Sequence, residues 1–408
     1  MKAKDIIMLP SLFLYRHLFI PLKAHQIRNK KIIKVLFPIS DLSKWKTELL
    51  YIEMQEHDRF EPLIIAYLSE VVNSVDDRSA IAEYCKNKNY NYLVSQKHFK
   101  DLYKEYKPDI IFNQSPYIPR HIFRHNLLAL SCYVVYGIRQ TIDDWEWDLE
   151  LLKNCWQIYY ENKLTYKQYK AISNNDYDNH YLTGLPIMDE LISEDYMAED
   201  PWISNNTDQK RKRIIYAPHH SITVNEPLHI STFLENCDLM LELAEKYSDK
   251  VQWAFKPHPV LYSKLCSLWG KKKTDSYYNQ WNNLQWSQVE TGKYSQLFKY
   301  SDAMIHDCAS FAVEYLFVNK PVMYLTKGKH LEPKLNDFFI KALDIHELGY
   351  TPEEIETFIR NVIIGNDVKM EQRNEFISDY LNPPFNKKAC ENIINCILYS
   401  DKAKEMQP

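Results

Sequence analysis

Residues 303–314 read Ala-Met-Ile-His-Asp-Cys-Ala-Ser-Phe-Ala-Val-Glu. The first three residues form a short apolar run that is typical of a buried strand, and the last four have a helical pattern. Between them stand His306, Asp307 and the small residues Ala309 and Ser310. A strand that ends in polar residues and leads into a helix is the repeating unit of an open parallel α/β sheet.

The same alternation of strand and helix patterns extends along the whole chain. Predicted strands cover residues 32–38, 62–67, 92–94, 109–113, 132–136 and 156–160 in the first half, and 213–217, 251–255, 303–306 and 321–325 in the second. Longer helical patterns separate or follow them, at 45–54, 76–87, 97–106, 228–247, 352–363, 370–380 and 388–399. This order predicts two Rossmann-like domains with parallel sheets.

The chain is too long for one ordinary core. Its 408 residues predict an N-terminal α/β domain over 1–200, a C-terminal α/β domain over 209–380 and a C-terminal helix over 381–408. The segment 192–212 is acidic, then polar, then basic, and is the predicted linker.

Composition excludes several classes of protein. Hydrophobic residues make up 45% and charged residues 25%, and the net charge is only −4, so no basic field indicates a nucleic-acid partner. The eight cysteines are scattered without a CxxC pair, which argues against a zinc site or a disulfide framework. A reducing, cytoplasmic environment is predicted.

The first 30 residues combine an apolar stretch with a basic cluster. Residues 6–22 are apolar, but Arg16 and His17 interrupt them, so the stretch is too short and too broken to span a bilayer. Two interpretations stay open: a helix packed on the N-terminal domain, or an interfacial segment that holds the protein on the inner face of the cell membrane. The basic residues that follow are Lys23, Arg28, Lys30, Lys31 and Lys34.

Three strand ends in the second half carry residues suited to phosphate chemistry. Ligands of parallel sheets bind beyond the carboxyl ends of the strands, which directs attention to Pro218-His219, Lys256-Pro257-His258 and Asp307–Ser310. A lysine supplies a fixed positive charge, a histidine donates to phosphoryl oxygens, and small residues expose backbone N–H groups to an anion. Glu314 lies one helical turn after Ser310 and can accept hydrogen bonds from a ribose.

Two other interpretations also fit these residues. Asp307 and Ser310 can be plain helix caps after a buried strand. A metal could be bound by His219 and His220 with His258 or His306, but the spacing matches no zinc pattern, and adjacent histidines on an extended chain point to opposite sides. No metal or other cofactor is therefore expected.

Together these segments resemble the CDP-glycerol glycerophosphotransferase family, which includes the teichoic acid polymerases and primases of Gram-positive bacteria and relatives in capsule pathways. The family's Asp-Tyr-Ser-Ser segment resembles residues 307–310, and its Tyr-Ala-Pro-Thr resembles residues 216–219. Its basic residue two positions before a histidine matches Lys256 and His258. Its Gly-x-Pro-Arg-x-Asp segment resembles residues 184–189.

The resemblance implies a GT-B-like fold, with an interdomain cleft and the donor in the C-terminal domain. It implies that an acceptor hydroxyl attacks the β-phosphorus of a CDP-activated polyol or another nucleotide-activated donor, with release of CMP. The acceptor would be a cell-surface glycan or a lipid-linked molecule. The implied donor-binding residues are Pro218, His219, Lys256, His258, Asp307, Ala309, Ser310 and Glu314, of which Lys256 and His258 are also the implied catalytic residues.

The N-terminal half departs from the family pattern. Where the family has Trp-His-Gly-Thr with its presumed base, residues 135–139 read Val-Tyr-Gly-Ile-Arg, which resembles a divergent capsule-type branch. Tyr136, Gly137 and Arg139 are the acceptor-side candidates. The missing histidine leaves two alternatives open: a glycosyltransferase that uses a nucleotide sugar in capsule or cell-wall polysaccharide synthesis, or a degenerate paralogue without turnover.

Overall fold

A computed structural model describes residues 13–42, 45–68, 76–96, 106–116, 129–135, 138, 149–173, 178–193, 199–203, 210–223, 230–292, 294–327 and 335–405. These residues divide into two compact units. The first comprises those within residues 1–137, 143–189 and 382–408, and the second those within 138–142 and 190–381.

The first unit is built on a parallel sheet. Its strands, counted over the described residues, are β1 (Ile33–Ile39), β2 (Phe60–Ala66), β3 (Tyr92–Val94), β4 (Ile110–Asn113), β5 (Leu130–Val134), β6 (Gln157–Tyr160) and β7 (His180–Leu182). They lie in the order β3-β2-β1-β4-β5-β6-β7. Helices of this part are α1 (Ile20–Asn29), α2 (Glu48–Glu56), α3 (Arg78–Asn87), α4 (Glu150–Asn154), α5 (Lys163–Ile172) and α6 (Pro186–Ile192).

The second unit repeats this plan. Its described strands are β8 (Lys212–Ala217), β9 (Val251–Phe255), β10 (Ser287–Val289), β11 (Ala303–His306), β12 (Val322–Leu325) and β13 (Glu347–Gly349), in the order β10-β9-β8-β11-β12-β13. Its helices are α7 (Phe233–Lys246), α8 (Leu261–Trp269), α9 (Lys271–Asn283), α10 (Ser295–Tyr300), α11 (Phe311–Glu314), α12 (Asp337–Asp344), α13 (Pro352–Ile364) and α14 (Met370–Phe376). All pairings in both sheets are parallel, which confirms the prediction of two Rossmann-like domains.

Stacked aromatic rings fill the cores. In the first unit Phe37 stacks on Phe112, with ring centroids 5.2 Å apart. In the second unit Phe255 stacks on Trp281 at 5.1 Å, and Tyr216 lies 5.8 Å from Phe255. All five rings are fully buried, and each contributes about 1.5–3 kcal/mol of hydrophobic stabilisation.

Three strands were not predicted, namely β7, β10 and β13. Each has three residues and begins with a polar one, His180, Ser287 or Glu347, so no apolar run marks it, whereas the equally short β3 is Tyr-Leu-Val and was predicted. Part of the predicted linker is ordered on the second unit: Trp202 is buried and its indole N–H donates to the Leu297 carbonyl at 3.3 Å, while the Ile203 N–H donates to Gln288 at 2.8 Å.

The C-terminal helix α15 (Ala389–Glu405) belongs to the first unit. The carboxylate of Asp189 accepts hydrogen bonds from the N–H groups of Ala389 and Cys390, at 2.7 and 2.8 Å, and so satisfies donors at the start of the helix. Asn392 donates to the Thr183 carbonyl at 3.1 Å. The chain thus returns to its first unit after completing the second.

Candidate functional site

The predicted strand ends meet at one edge of the second sheet. Strands β8 and β11 are neighbours, with β9 and β10 beyond β8 and with β12 and β13 beyond β11. Here the order of strands reverses, and ligands of open α/β sheets bind beyond the carboxyl ends at such a point. Strand β8 leads into Pro218, β9 into Lys256, and β11 into Asp307.

Asp307 ties two of these loops together. One carboxylate oxygen accepts a hydrogen bond from the His219 N–H, and the other accepts from the N–H and, at 3.0 Å, the hydroxyl of Thr232. Burial raises the pKa of Asp307 to about 6, although these hydrogen bonds favour the ionised form. Asp307 therefore acts in this structure as a buried acceptor that shapes the loop after β8 and the start of α7.

Three histidines cluster beside this carboxylate. The ring centroids of His219 and His220 are 4.2 Å apart, and those of His220 and His258 are 4.3 Å apart. The expectation that adjacent histidines point to opposite sides is wrong here, because the chain bends after β8: the Ile222 N–H donates to the His220 carbonyl at 2.9 Å. The loops are also joined directly, since the His258 N–H donates to the Pro218 carbonyl at 3.0 Å.

Lys256 is almost completely buried, with 5% of its surface exposed. Its ammonium group donates to the Gly292 carbonyl at 2.7 Å, and its backbone N–H donates to the Tyr216 carbonyl at 2.8 Å. A buried ammonium group held in this way is a positive charge at a fixed place on the sheet edge.

The segment after β11 is short and tightly packed. Ala309 is buried, Ser310 is half-buried, and α11 runs for only four residues before a 3-10 turn, Tyr315–Val318. Ser310 makes no capping hydrogen bond through its side chain, so the interpretation of Ser310 as a plain helix cap is wrong. Its hydroxyl oxygen lies 3.8 Å from the Cys308 sulfur.

Glu314 is buried next to Tyr294. The two side chains form a hydrogen bond, and burial together with the Glu314 charge raises the pKa of the Tyr294 phenol well above its ordinary value. The ring of Tyr294 also lies 5.0 Å from that of Phe311. Contact of Glu314 with a nucleotide remains a prediction.

Some predicted residues lie outside the described part of the chain. These are the acceptor-side candidates Tyr136, Gly137 and Arg139. Other site neighbours were missed by sequence reasoning, namely Thr232, Lys264, Gly292 and Tyr294. Only Thr232 carried a local signal, because a Ser-Thr pair before an apolar helical run is typical of a helix start.

Two tandem parallel α/β sheets, with polar residues after the strands at the switch point of the second, are the architecture of the GT-B fold. Solved structures share the fold. The wall teichoic acid polymerase TagF soaked with CDPG matches with a TM-score of 0.60 at 14% identity, over 98% of this chain and 96% of that one. A co-structure of S. aureus MnaA with UDP has a TM-score of 0.58 at 13% identity, over 92% and 99%. UDP-GlcNAc 2-epimerase from Neisseria meningitidis bound to UDP-GlcNAc also has a TM-score of 0.58 at 13% identity, over 90% of this chain and 99% of that one.

The family follows from the sequence match. The model of the CDP-glycerol:poly(glycerophosphate) glycerophosphotransferase family matches residues 140–398, which is more than half of the chain and includes the whole strand-end cluster. The chain belongs to this family and is a CDP-glycerol glycerophosphotransferase-like transferase. No curated protein matches it by sequence similarity.

Proposed function

We propose that this chain transfers glycerol phosphate or ribitol phosphate from a CDP-activated polyol to a hydroxyl group of a cell-surface glycan or a lipid-linked acceptor. The observation that carries the proposal is the meeting of three loops at the switch point of the second sheet. Hydrogen bonds join His258 to Pro218 and His219 to Asp307, within the region that the family model matches.

The donor's diphosphate would lie against Lys256 and His258. Burial, together with the charges of the nearby His220, Lys264 and Lys256, lowers the pKa of His258 to about 4, so the imidazole is neutral at pH 7. Its Nδ1 accepts a hydrogen bond from the Val260 N–H at 3.2 Å, which leaves the proton on Nε2. His258 would therefore stabilise a phosphoryl oxygen as a neutral hydrogen-bond donor, while Lys256 supplies the charge.

The reaction would be a substitution at the β-phosphorus. The acceptor oxygen forms a bond to this phosphorus, the bond to the CMP oxygen breaks, and CMP leaves with the charge of the broken bond. The acceptor proton passes to a base. Positioning and charge stabilisation by Lys256, His258, Ala309 and Ser310 would provide most of the rate enhancement. No metal is needed for these roles.

A ligand panel tests the donor. Purified protein is offered CDP-glycerol, CDP-ribitol, UDP-sugars and GDP-sugars, and melting shifts and nucleotide release are measured. A shift selective for the CDP compounds, with CMP release in the presence of acceptor, supports the proposal. Shifts with UDP- or GDP-sugars alone would instead support a glycosyltransferase, and binding of CDP compounds without turnover a non-catalytic paralogue.

A pair of variants tests the role of His258. His258→Ala should lower kcat about 10²–10³-fold, because it removes one preorganised donor to the developing charge. Ser267→Ala, on the exposed surface of α8, is the matched control and should keep full activity. Full activity of His258→Ala would refute the assigned role.

We also propose that the N-terminal helix contacts an anionic membrane surface. A π-helical turn, Tyr15–Phe19, continues into α1, and one side of this helix is buried against the first unit through Tyr15, Ile20, Ala24 and Ile27. The other side exposes four apolar residues by 53–57% of their surface, namely Phe13, Leu14, Leu18 and Leu22. No helix among the described residues is long and apolar enough to cross a bilayer.

The charges around this helix limit how it can bind. Lys30 lies 2.6 Å and Lys23 3.7 Å from the carboxylate of Asp109, so part of the basic cluster is neutralised within the protein. Lys31 is exposed. The four exposed apolar side chains of the helix would therefore supply most of the affinity for the cytoplasmic face of the membrane. Each methylene group that they bury contributes about 0.8 kcal/mol.

Vesicle sedimentation tests this surface. The triple variant Leu14→Ser, Leu18→Ser, Leu22→Ser should bind vesicles of phosphatidylcholine and phosphatidylglycerol at least about 100-fold more weakly than the parent chain. The control variant, Leu268→Ser, Ile364→Ser, Val368→Ser, removes three exposed apolar side chains elsewhere and should bind normally. Equal binding of the two triple variants would contradict the proposal.

A further inference from the structure

The histidine cluster beyond β8 and β9 contains His220, which the family resemblance does not implicate, beside His219 and His258, which it does. One ring nitrogen from each of His219, His220 and His258 lies within 4.8 Å of the others. Among the described residues, this is the only group of three or more His, Cys, Asp or Glu side chains close enough to share an ion. The cluster could bind a cation or an anion. The hydrogen bonds to the Nδ1 atoms of the three rings distinguish between these two occupants.

A histidine that binds a metal presents a bare nitrogen to the ion and donates its other N–H to an acceptor. Here the groups that contact the ring nitrogen Nδ1 are hydrogen-bond donors. The Val260 N–H donates to Nδ1 of His258 at 3.2 Å, the Ser221 N–H to Nδ1 of His219 at 3.2 Å, and the Lys264 ammonium group to Nδ1 of His220 at 2.9 Å.

These contacts set the tautomer of all three rings. A nitrogen that accepts a hydrogen bond has no proton, so each neutral ring carries its proton on Nε2. A metal on Nε2 would force the proton onto Nδ1, where it would face another N–H group. Three rings with Nε2–H groups suit the oxygen atoms of an anion.

Two buried histidines of the same unit show the opposite pattern. Nδ1 of His306 lies 3.0 Å from the Cys308 carbonyl oxygen, and Nδ1 of His346 lies 2.7 Å from that of Ala342. Carbonyls only accept, so these rings carry the proton on Nδ1. The tautomer of the cluster is therefore a local property of its donors and not a general feature of this fold.

We propose that His219, His220 and His258 together bind an anion, and that His220 is a further ligand of the donor diphosphate. Lys264 is the residue that positions the His220 ring. The assignment of the diphosphate rests on the proposed function. Lys264 holds His220 in the Nε2–H form, and together with Lys256 it makes the site positive, which favours a phosphate group over a divalent cation.

Inorganic pyrophosphate and zinc chloride are the probes of the intact protein. The parent chain should bind pyrophosphate, and its His220 should show the nitrogen chemical shifts of the Nε2–H tautomer in ¹⁵N NMR. Lys264→Met should weaken pyrophosphate binding about tenfold and move His220 toward a mixture of tautomers. Lys272→Met, an exposed lysine on α9, is the control and should change neither.

A second pair of variants keeps the test independent of Lys264. His220→Ala should weaken pyrophosphate binding about tenfold, while His220→Gln retains an N–H donor near the Nε2 position and should stay close to the parent. Parent-like pyrophosphate affinity of both Lys264→Met and His220→Ala would overturn the proposal. Zinc binding at the three histidines with no response to pyrophosphate would also overturn it. Variant-sensitive pyrophosphate binding with no melting shift from CDP-glycerol or CDP-ribitol would uphold this site and contradict the proposed donor.

Discussion

His346 is expected to make the second unit sensitive to acid, and replacing it with Asn should remove that sensitivity. The side chain is buried, and its Nδ1–H donates to the Ala342 carbonyl at 2.7 Å. Burial lowers the pKa of His346 to about 4, and the charges of Arg373 and Lys369 act in the same direction. Asn places an amide N–H near the position of Nδ1, so the hydrogen bond can be kept while the titrating group is lost.

The sign and size follow from proton linkage. The pKa is about 6.5 in the unfolded chain and about 4 in the folded one, so the unfolded chain binds the extra proton as the pH falls from 7 to 4. The stability that depends on a neutral His346 is fully present above pH 6.5 and is lost progressively as the pH falls from 6.5 to about 4. The loss due to His346 is about 2 kcal/mol at pH 5 and about 3 kcal/mol at pH 4.

Urea unfolding followed by tryptophan fluorescence at pH 7, 5 and 4 measures this. The difference in unfolding free energy between the parent and His346→Asn includes a constant packing term and a term that changes with pH. Other titrating groups, such as Asp307, contribute equally to the parent and the variant and cancel in this difference. The term that changes with pH therefore reports on His346 alone. His25→Asn, on an exposed helix surface, is the control. A parent–variant difference that stays constant from pH 7 to pH 4 would refute the reasoning.

Three further substitutions test packing and loop geometry. Asp307→Ala should lower the free energy of unfolding by about 3 kcal/mol and weaken donor binding, because buried donors of two loops lose their acceptor; an unchanged urea midpoint would argue against this. Gly349→Ala should cost about 1–3 kcal/mol, since its Cβ would lie 2.9 Å from the buried Met323 sulfur, and calorimetry would detect the loss. Thr351→Ala removes the capping box with Glu354 and should lower stability by about 1 kcal/mol, with no change in donor affinity.

The longer strands and the polar residues that follow them were predictable from the sequence alone. Strands β9 and β11 begin and end where the apolar runs do, because a buried parallel strand needs a continuous apolar segment and its polar neighbours must lie outside the sheet. The motifs at residues 216–219, 256–258 and 307–310 likewise sufficed to indicate the family, since each is a local pattern. The order of the strands is not among these predictions, because the alternation of strand and helix and the right-handed crossover rule are compatible with several orders.

Only the tertiary structure decided which groups these residues meet. Asp307 contacts His219 and Thr232, which are 88 and 75 residues away in the chain, and Asp189 receives the start of α15 from 200 residues away. No local pattern encodes such partners, because they depend on which strands become neighbours. The polar residues after β11 could be predicted from the sequence. The role of Asp307 as a buried acceptor and the tautomers of the histidines beside it could not, because they are set by hydrogen-bond donors that the fold brings to these side chains.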